Sequence, residues 1–243
     1  MDRALDNSEV AKIAGRRITM VLNSDMSAYD SLEKLFATEC VLLNYLTQKD
    51  FGHWVGLHYN RDREVVTFFD SYGKLPDKAL SYIPMKYRIE SNQDYPHLSK
   101  LLIEWLEKRK GRVVKYNDEQ FQRYSTNIQT CGRWVGLWFR YCRQLTVERF
   151  EKMLNGHRDK YLAVHHLKGV DRDLYFDRLV VELTDKFLEP EGLETLLGEI
   201  PVTGEEEDQP PVTDIGESGD EGGEWSMSRA YEDDDEEDEE YDE

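Results

Sequence analysis

The pattern of apolar residues predicts strands in the first half of the chain, after a weakly patterned segment 1–30. The run CVLLNYL (40–46) is suited to a buried strand or a short helix. The segments HWVGLHYN (53–60) and EVVTFFDSYG (64–73) are rich in β-branched and aromatic residues, and a short polar turn separates them. These two segments predict a β-hairpin whose second strand ends at Asp70.

Helical periodicity dominates the second half. Apolar residues at helical spacing predict an amphipathic helix over 95–111, and RVVKYND (112–118) predicts the strand that follows it. The segment CGRWVGLWFRYCR (131–143) is apolar nearly all round, which is typical of a central, buried helix. Further helices are predicted over 145–156, ending at Asn155-Gly156, and over 173–188. This mixture predicts an α+β fold.

The composition of the chain changes sharply after residue 188. Segment 189–243 contains 24 acidic residues and one basic residue, whereas the preceding 188 residues contain 26 acidic and 30 basic residues. A segment of that composition buries too little apolar surface to fold alone. We therefore expect a folded domain over 1–188 and a disordered acidic tail over 189–243. The charges of the tail could compete with nucleic acid for the slightly basic folded part, or bind a basic protein.

Composition also indicates the cellular compartment and bears on whether a metal or cofactor is bound. The sequence has no apolar run of the ~18 residues that a membrane span needs, and its first 20 residues lack the apolar core of a signal peptide. The odd number of cysteines fits free thiols in a reducing compartment. His165 and His166 are adjacent, which is typical of a solvated polar pair rather than a metal site. We expect no metal and no cofactor.

Cys131 lies where a cysteine nucleophile would be activated. It begins the predicted central helix, where free N–H groups and the helix dipole stabilise a thiolate. His53 begins one strand of the hairpin and Asp70 ends the other, so a hydrogen bond that orients the imidazole is geometrically natural. Gln122 and Gln129 are the candidate side-chain amides for stabilising an oxyanion.

Each of these residues has a structural interpretation when taken alone. A cysteine on an apolar helix is more often a packing residue than a nucleophile. His53 could be an ordinary strand histidine beside Trp54, and segment 70–73 could be a simple turn. The presence of all three residue types, in this order and these contexts, favours catalytic chemistry.

The order of the motifs resembles a known family. His53-Trp54, an Asp70 that ends the next strand, a glutamine, and then Thr-Cys-Gly around Cys131 are similar to the adenain-like and SUMO-protease-like cysteine peptidases of clan CE. That family includes enzymes of adenoviruses, virophages, Polinton-type elements and large DNA viruses. The resemblance covers roughly residues 35–145 and implies that His53 is the base, Asp70 the orienting acid, Gln122 the oxyanion residue and Cys131 the nucleophile.

The resemblance also carries expectations about fold and substrate. It implies a papain-like fold of the adenain type, with a central mixed sheet packed against the nucleophile helix. It implies a narrow groove for small substrate residues, with Trp54 and Trp134 as walls and Gly132 leaving room beside the nucleophile. Trp134 also fits ordinary core packing. Gln122 lies nine residues before Cys131, farther than in many family members, so Gln129 stays an alternative.

By the same resemblance, the expected function is processing of viral capsid or core precursors during virion maturation. The protein would act inside the host cell, in a viral factory or the nucleus, and in the virion. Nucleic acid or a basic peptide could activate it, as in related viral enzymes. The alternatives are a deubiquitinase or ubiquitin-like-modifier protease acting on host proteins, a clan-related acetyltransferase, and an inactive peptidase-like binding module.

Overall fold

The computed structural model of the chain describes residues 3–49, 51–125, 127–164 and 172–188. The predicted acidic tail over 189–243 and the pair His165-His166 lie outside these described residues. Within them, none of the helices combines the length and the apolar character needed to cross a bilayer.

Five strands of the described residues form one mixed sheet in the order of the sequence. They are β1 (Thr19–Leu22), β2 (Cys40–Gln48), β3 (Phe51–Asn60), β4 (Val65–Phe69) and β5 (Val113–Tyr116). The central pairs β2–β3 and β3–β4 are antiparallel, whereas the outer pairs β1–β2 and β4–β5 are parallel. Because β4 and β5 run in the same direction, the residues that follow them meet at one edge of the sheet.

Seven α-helices surround this sheet in the described part of the chain. They are α1 (Asn7–Ala14), α2 (Leu32–Leu35), α3 (Met85–Glu90), α4 (His97–Glu107), α5 (Cys131–Tyr141), α6 (Val147–Val164) and α7 (Arg172–Leu188). Two 3₁₀ helices, Asn23–Ala28 and Lys78–Tyr82, lie in the connections.

Side chains of the sheet alternate between two hydrophobic cores, as the pleat of a strand requires. On β2, Val41 and Leu43 face the core that α2 and α4 cover, whereas Leu42 faces the core built by α1, α5, α6 and α7. Burial of both faces explains why β2 and β3 are almost continuously apolar.

Helix α5 approaches its neighbours closely because three glycines lie in its contacts. A Cβ atom at Gly56 of β3 would come within 2.9 Å of Val135, and one at Gly136 of α5 would come within 2.9 Å of Ile13 on α1. Gly132 is similarly crowded by α1 and the residues before it. Packing of side chains this close to the glycine backbones fixes the distance of α5 from both the sheet and α1.

The predicted α+β fold, with a mixed sheet against a buried helix that begins at Cys131, is confirmed. The hairpin, the helix at 97–107 and the last helix are present, and segment 40–46 is a strand. The predicted end of a helix at Asn155-Gly156 is wrong, because α6 continues to Val164. Leu154 is fully buried, and packing of that face outweighs the weak helix propensity of glycine. The weakly patterned first 30 residues contain α1 and β1.

Two glycine substitutions test this packing. Gly136→Ala is expected to lower the free energy of unfolding by about 1–3 kcal/mol, because the new methyl group would overpack the contact with Ile13. Gly156→Ala is the matched control: no atom lies within 4 Å of the new Cβ. It is expected to stabilise α6 by about 0.5–1 kcal/mol, since alanine loses less backbone entropy in a helix. Urea unfolding followed by circular dichroism measures both, and equal effects would contradict the close approach of α5 and α1.

Candidate active site

The hairpin brings His53 and Asp70 into contact. His53 lies near the start of β3, and Asp70 follows directly after the last residue of β4. The Nε2 atom of His53 and Oδ1 of Asp70 are 2.7 Å apart, and both side chains are buried. With Nε2 bonded to Asp70, Nδ1 is the ring nitrogen left for a second partner.

Asp70 is held in place through its backbone and its carboxylate. Asn117 lies directly after β5, and its side chain accepts from the Asp70 N–H at 2.8 Å and donates to the Asp70 carbonyl oxygen at 2.7 Å. The backbone N–H of Tyr72 donates to Asp70 Oδ1 at 2.9 Å. Gly73 closes the turn with a φ of 65°, a conformation that glycine adopts without strain.

The electrostatics of His53 favour its charged form. Burial disfavours the charge on the imidazole, but the charge and hydrogen bond of Asp70 and the interaction with Cys131 outweigh burial and raise the pKa of His53 to about 10. A buried imidazolium is stable only where a counter-charge is fixed beside it. Asp70 therefore sets the protonation state of His53 as well as its orientation.

Cys131 is the first residue of α5, and its thiol lines the same cavity as His53. The interaction of the two side chains contributes to the raised pKa of His53. Thr130 precedes the helix without capping it through its side chain. The hydroxyl of Thr130 donates instead to Asp177 of α7 at 2.9 Å. The first backbone N–H groups of a helix have no partner within the helix, so those beside Cys131 are suited to binding an anion.

The two candidate glutamines occupy different surroundings, although both line the same cavity. The Gln122 side chain accepts from the Ser71 hydroxyl at 2.9 Å and donates to Tyr72 Oη at 3.1 Å, so it is joined to the loop that carries Asp70. The Gln129 side chain accepts from the backbone N–H of Ala4 at 2.8 Å. Of the two, Gln122 is the one bonded to residues next to Asp70.

The cavity at this site has a volume of about 430 Å³. Its walls include His53, Asp70, Gln122 and Cys131, together with aromatic and small residues from the end of the sheet where β2 and β4 finish and β3 begins. The exposed rings of Tyr82 and Tyr124 lie at its rim, and the Lys74 ammonium group lies 5.6 Å from the centre of the Tyr124 ring. The predicted set of His53, Asp70, Gln122 and Cys131 thus shares one open cavity.

The residues predicted to bind substrate lie elsewhere. None of Trp54, Gly132 and Trp134 lines this cavity. Trp54 donates its indole N–H to the backbone oxygen of Leu5 at 3.0 Å. A Cβ atom at Gly132 would meet Val10, Leu5 and Trp54 within 3.3 Å, so the space beside this glycine is filled by the protein itself.

Trp134 is a residue of the hydrophobic core, which is the alternative that the sequence also allowed. It is fully buried and stacks on Phe121, with ring centroids 5.0 Å apart. The resemblance implied that Trp54 and Trp134 form walls of the substrate groove. In the structure neither ring lines the cavity, because both pack between α5 and its neighbours. The aromatic rings that line the cavity belong to other residues, among them Phe51, Tyr72, Tyr82 and Tyr124.

Three contributors to the site were not singled out from the sequence. Tyr72 stacks on His53 with ring centroids 4.5 Å apart and on Tyr124 at the same distance. Asn117 pins Asp70, and Asp177 holds Thr130. Asn117 carried a usable signal, since it follows a strand parallel to β4 and so must lie near Asp70. Asp177 belongs to a distant helix and gives no local signal.

Cys40 and Cys142 lie away from the cavity, in the core beneath α5. Their sulfur atoms are 3.9 Å apart and both residues are buried. All three cysteines are free thiols, as predicted. Only Cys131 opens onto the cavity.

Comparison with known proteins gives one sequence relative and distant structural neighbours. No family model matches the chain. Over 154 residues, the chain is 34% identical to uncharacterized protein V9 of the Sputnik virophage, a match that covers 63% of this chain and 83% of V9.

Among solved structures, the chain is similar to the SUMO protease Ulp1. With the catalytic cysteine oxidized to a sulfinic acid, that structure gives a TM-score of 0.32 at 12% identity, over 77% of this chain and 80% of the chain in that structure. The form oxidized to a sulfenic acid gives 0.31 at 12% identity, over 76% and 80%.

Replacement of Asp70 tests the electrostatics of the site. In Asp70→Asn the charge that raises the pKa of His53 is gone while burial still lowers it. The midpoint should therefore fall from about 10 toward the ordinary value of 6.5. Wild-type His53 therefore keeps its proton through neutral pH, whereas His53 of the variant loses its proton there. NMR titration of the His53 Cε1–H signal, assigned from its loss in His53→Ala, measures this. An unchanged midpoint would contradict the role of Asp70 as the charge that stabilises protonated His53.

Proposed function

The chain belongs to the family of protein V9 of the Sputnik virophage, and we propose that it is a cysteine endopeptidase that cleaves protein substrates at the cavity beside Cys131. The observation that carries the proposal is the buried His53–Asp70 pair, held 2.7 Å apart, which lines the same cavity as the Cys131 thiol at the start of α5. A thiol, a base and an acid that orients the base are the parts that nucleophilic cysteine catalysis needs.

The proposed reaction begins from an ion pair in which the Cys131 proton already resides on His53. An imidazolium next to a thiol favours the thiolate, which is the reactive form of cysteine. The thiolate attacks the carbonyl carbon of the scissile peptide and forms a carbon–sulfur bond. When the tetrahedral intermediate collapses, the carbon–nitrogen bond breaks and His53 gives its proton to the leaving amine.

Water completes the cycle in the second half of the reaction. His53, now neutral, takes a proton from a water molecule that attacks the thioester carbonyl. The carbon–sulfur bond then breaks, which releases the acid product and returns the cysteine and histidine to their starting state. Asp70 keeps the imidazole in one orientation through both halves, because it accepts from Nε2 and leaves Nδ1 directed to the reacting groups.

The oxyanion is proposed to bind at the N-terminus of α5. The backbone N–H of Cys131 is one donor, and the side-chain amide of Gln122 is the second. The helix dipole adds a partial positive charge at the same place. Gln122 is favoured over Gln129 because its hydrogen bonds join it to the loop that carries Asp70.

Protein substrates fit the shape of the site. The cavity is open to solvent between β3, the 74–82 segment and the loop before α5, and an extended peptide can cross it. Because the relative is a virophage protein, we propose viral structural precursors as the substrates, with action in the infected host cell and in the virion. The folded domain is proposed to end near residue 188, and the acidic segment 189–243 to be an appendage of it.

Cys131→Ala tests the proposal in cells. The full chain is co-expressed with the structural proteins encoded beside it, and new N-termini are identified by sequencing. Specific new N-termini are expected with the wild-type chain and none with Cys131→Ala. Cys142→Ala is the matched control, because Cys142 directly follows the same helix and does not line the cavity. This variant should still cut. Cleavage by Cys131→Ala at the wild-type rate would contradict the proposal.

Probes made from ubiquitin and SUMO distinguish the proposed function from its main alternative, a protease that acts on ubiquitin-like modifiers. Ubiquitin and SUMO that carry a thiol-reactive C-terminus are incubated with the wild-type chain and with Cys131→Ala. A processing enzyme of viral precursors should leave both probes unreacted. Labelling at Cys131 without cleavage of any structural protein would instead assign the same chemistry to a modifier protease.

The two glutamines offer a paired test of the oxyanion site. Gln122→Ala is expected to lower kcat about 100-fold or more with little change in KM, the usual cost of losing an oxyanion donor. Gln129→Ala should stay within a few-fold of wild type, because its amide oxygen binds the N-terminal segment. Steady-state cleavage of a peptide from the mapped site measures both, and the reverse ranking would assign the role to Gln129.

A further inference from the structure

Tyr72 contacts every part of the proposed machinery except the nucleophile itself. Its ring stacks on His53 with centroids 4.5 Å apart and an interplanar angle of 22°. Its backbone N–H donates to Asp70 at 2.9 Å. Its hydroxyl oxygen accepts from the Gln122 side-chain amide at 3.1 Å. A single residue therefore spans the base, the acid and the proposed oxyanion residue.

The ring of Tyr72 is itself fixed from the opposite side. Tyr124 stacks on it with centroids 4.5 Å apart and an interplanar angle of 18°. The three rings of His53, Tyr72 and Tyr124 thus form a continuous stack, and offset stacking of this kind stabilises a defined ring orientation. Rotation of the His53 imidazole away from Asp70 would break the stack as well as the hydrogen bond.

The hydroxyl of Tyr72 matters because of how the Gln122 amide is used. That amide nitrogen carries two hydrogens. It donates to Tyr72 Oη and to the backbone oxygen of Ile128, each at 3.1 Å. An oxyanion must therefore share one of these two hydrogens. A phenol oxygen is a weaker acceptor than a peptide carbonyl oxygen, so the hydrogen directed at Tyr72 is the one that the oxyanion can take.

We propose that Tyr72 is a positioning residue that couples the two halves of the site. Its ring holds the His53 imidazole in line with Asp70, and its hydroxyl holds the Gln122 amide ready for the oxyanion and yields that hydrogen when the oxyanion forms. This inference rests on the proposed peptidase function. It assigns to Tyr72 a role in the transition state, where the oxyanion exists, rather than in substrate binding.

Two substitutions separate the hydroxyl from the ring. Tyr72→Phe keeps the stack and removes the acceptor, and kcat is expected to fall roughly 10-fold at constant KM because the Gln122 amide is less well aimed. Tyr72→Leu removes the stack as well, and kcat should fall further. Tyr59→Phe is the matched control: it removes a hydroxyl from the same hairpin, in the opposite core, and should leave kcat unchanged.

A double-mutant cycle distinguishes positioning from general structural support. If the hydroxyl acts through Gln122, then Tyr72→Phe combined with Gln122→Ala should be no slower than Gln122→Ala alone. Losses that multiply, or an unchanged kcat in Tyr72→Phe, would overturn the proposal. Thermal unfolding of each variant shows that the comparison is made between folded proteins.

One readout does not depend on cleavage at all. The Gln122 side-chain amide protons, assigned by NMR from their loss in Gln122→Ala, should exchange with solvent at least several-fold faster in Tyr72→Phe than in wild type or Tyr59→Phe. Unchanged exchange would overturn the proposal that Tyr72 positions the Gln122 amide, even if the chain is a peptidase. Faster exchange in a chain that cuts no substrate would support the contact and contradict only the proposed function.

Discussion

The close approach of α5 to β3 is the constraint on which the geometry of the site depends. Gly56 lets side chains of the helix pack directly on the backbone of β3, and Gly136 lets residues of α1 pack directly on the backbone of the helix. Because α5 is buried along almost its whole length, it cannot slide or rotate without opening the core. Cys131 at its first turn is therefore fixed relative to β3, the strand that carries His53.

A second constraint follows from placing a charged imidazole in this buried position. The free energy cost of burying the charge is offset only if a carboxylate is fixed beside it. The fold supplies that carboxylate at the end of β4 and holds its backbone from β5 through Asn117. Packing of α5 and pairing of His53 with Asp70 thus support one another, and the cavity between them is where a peptide carbonyl would meet the sulfur.

Local sequence patterns were sufficient for the hairpin, the buried helix and the group of His53, Asp70 and Cys131, because strand alternation and helix burial place those residues directly. They were insufficient for α1 and β1, whose short segments gain their stability from tertiary contacts. The continuation of α6 past Gly156 also depends on packing. The expected roles of Trp54 and Gly132 differ from their places in the structure because the N-terminal segment, which has no strong pattern, packs against both of them.

The most direct measurement is detection of the acyl-enzyme. The wild-type chain is mixed with an intact precursor that it is known to cleave. The mixture is quenched in acid within the first turnover and examined by mass spectrometry. We expect a hydroxylamine-sensitive adduct on Cys131, a thioester whose added mass equals that of the N-terminal cleavage fragment less one water. Cleavage without any adduct, or an adduct on Cys40 or Cys142, would contradict Cys131 as the nucleophile.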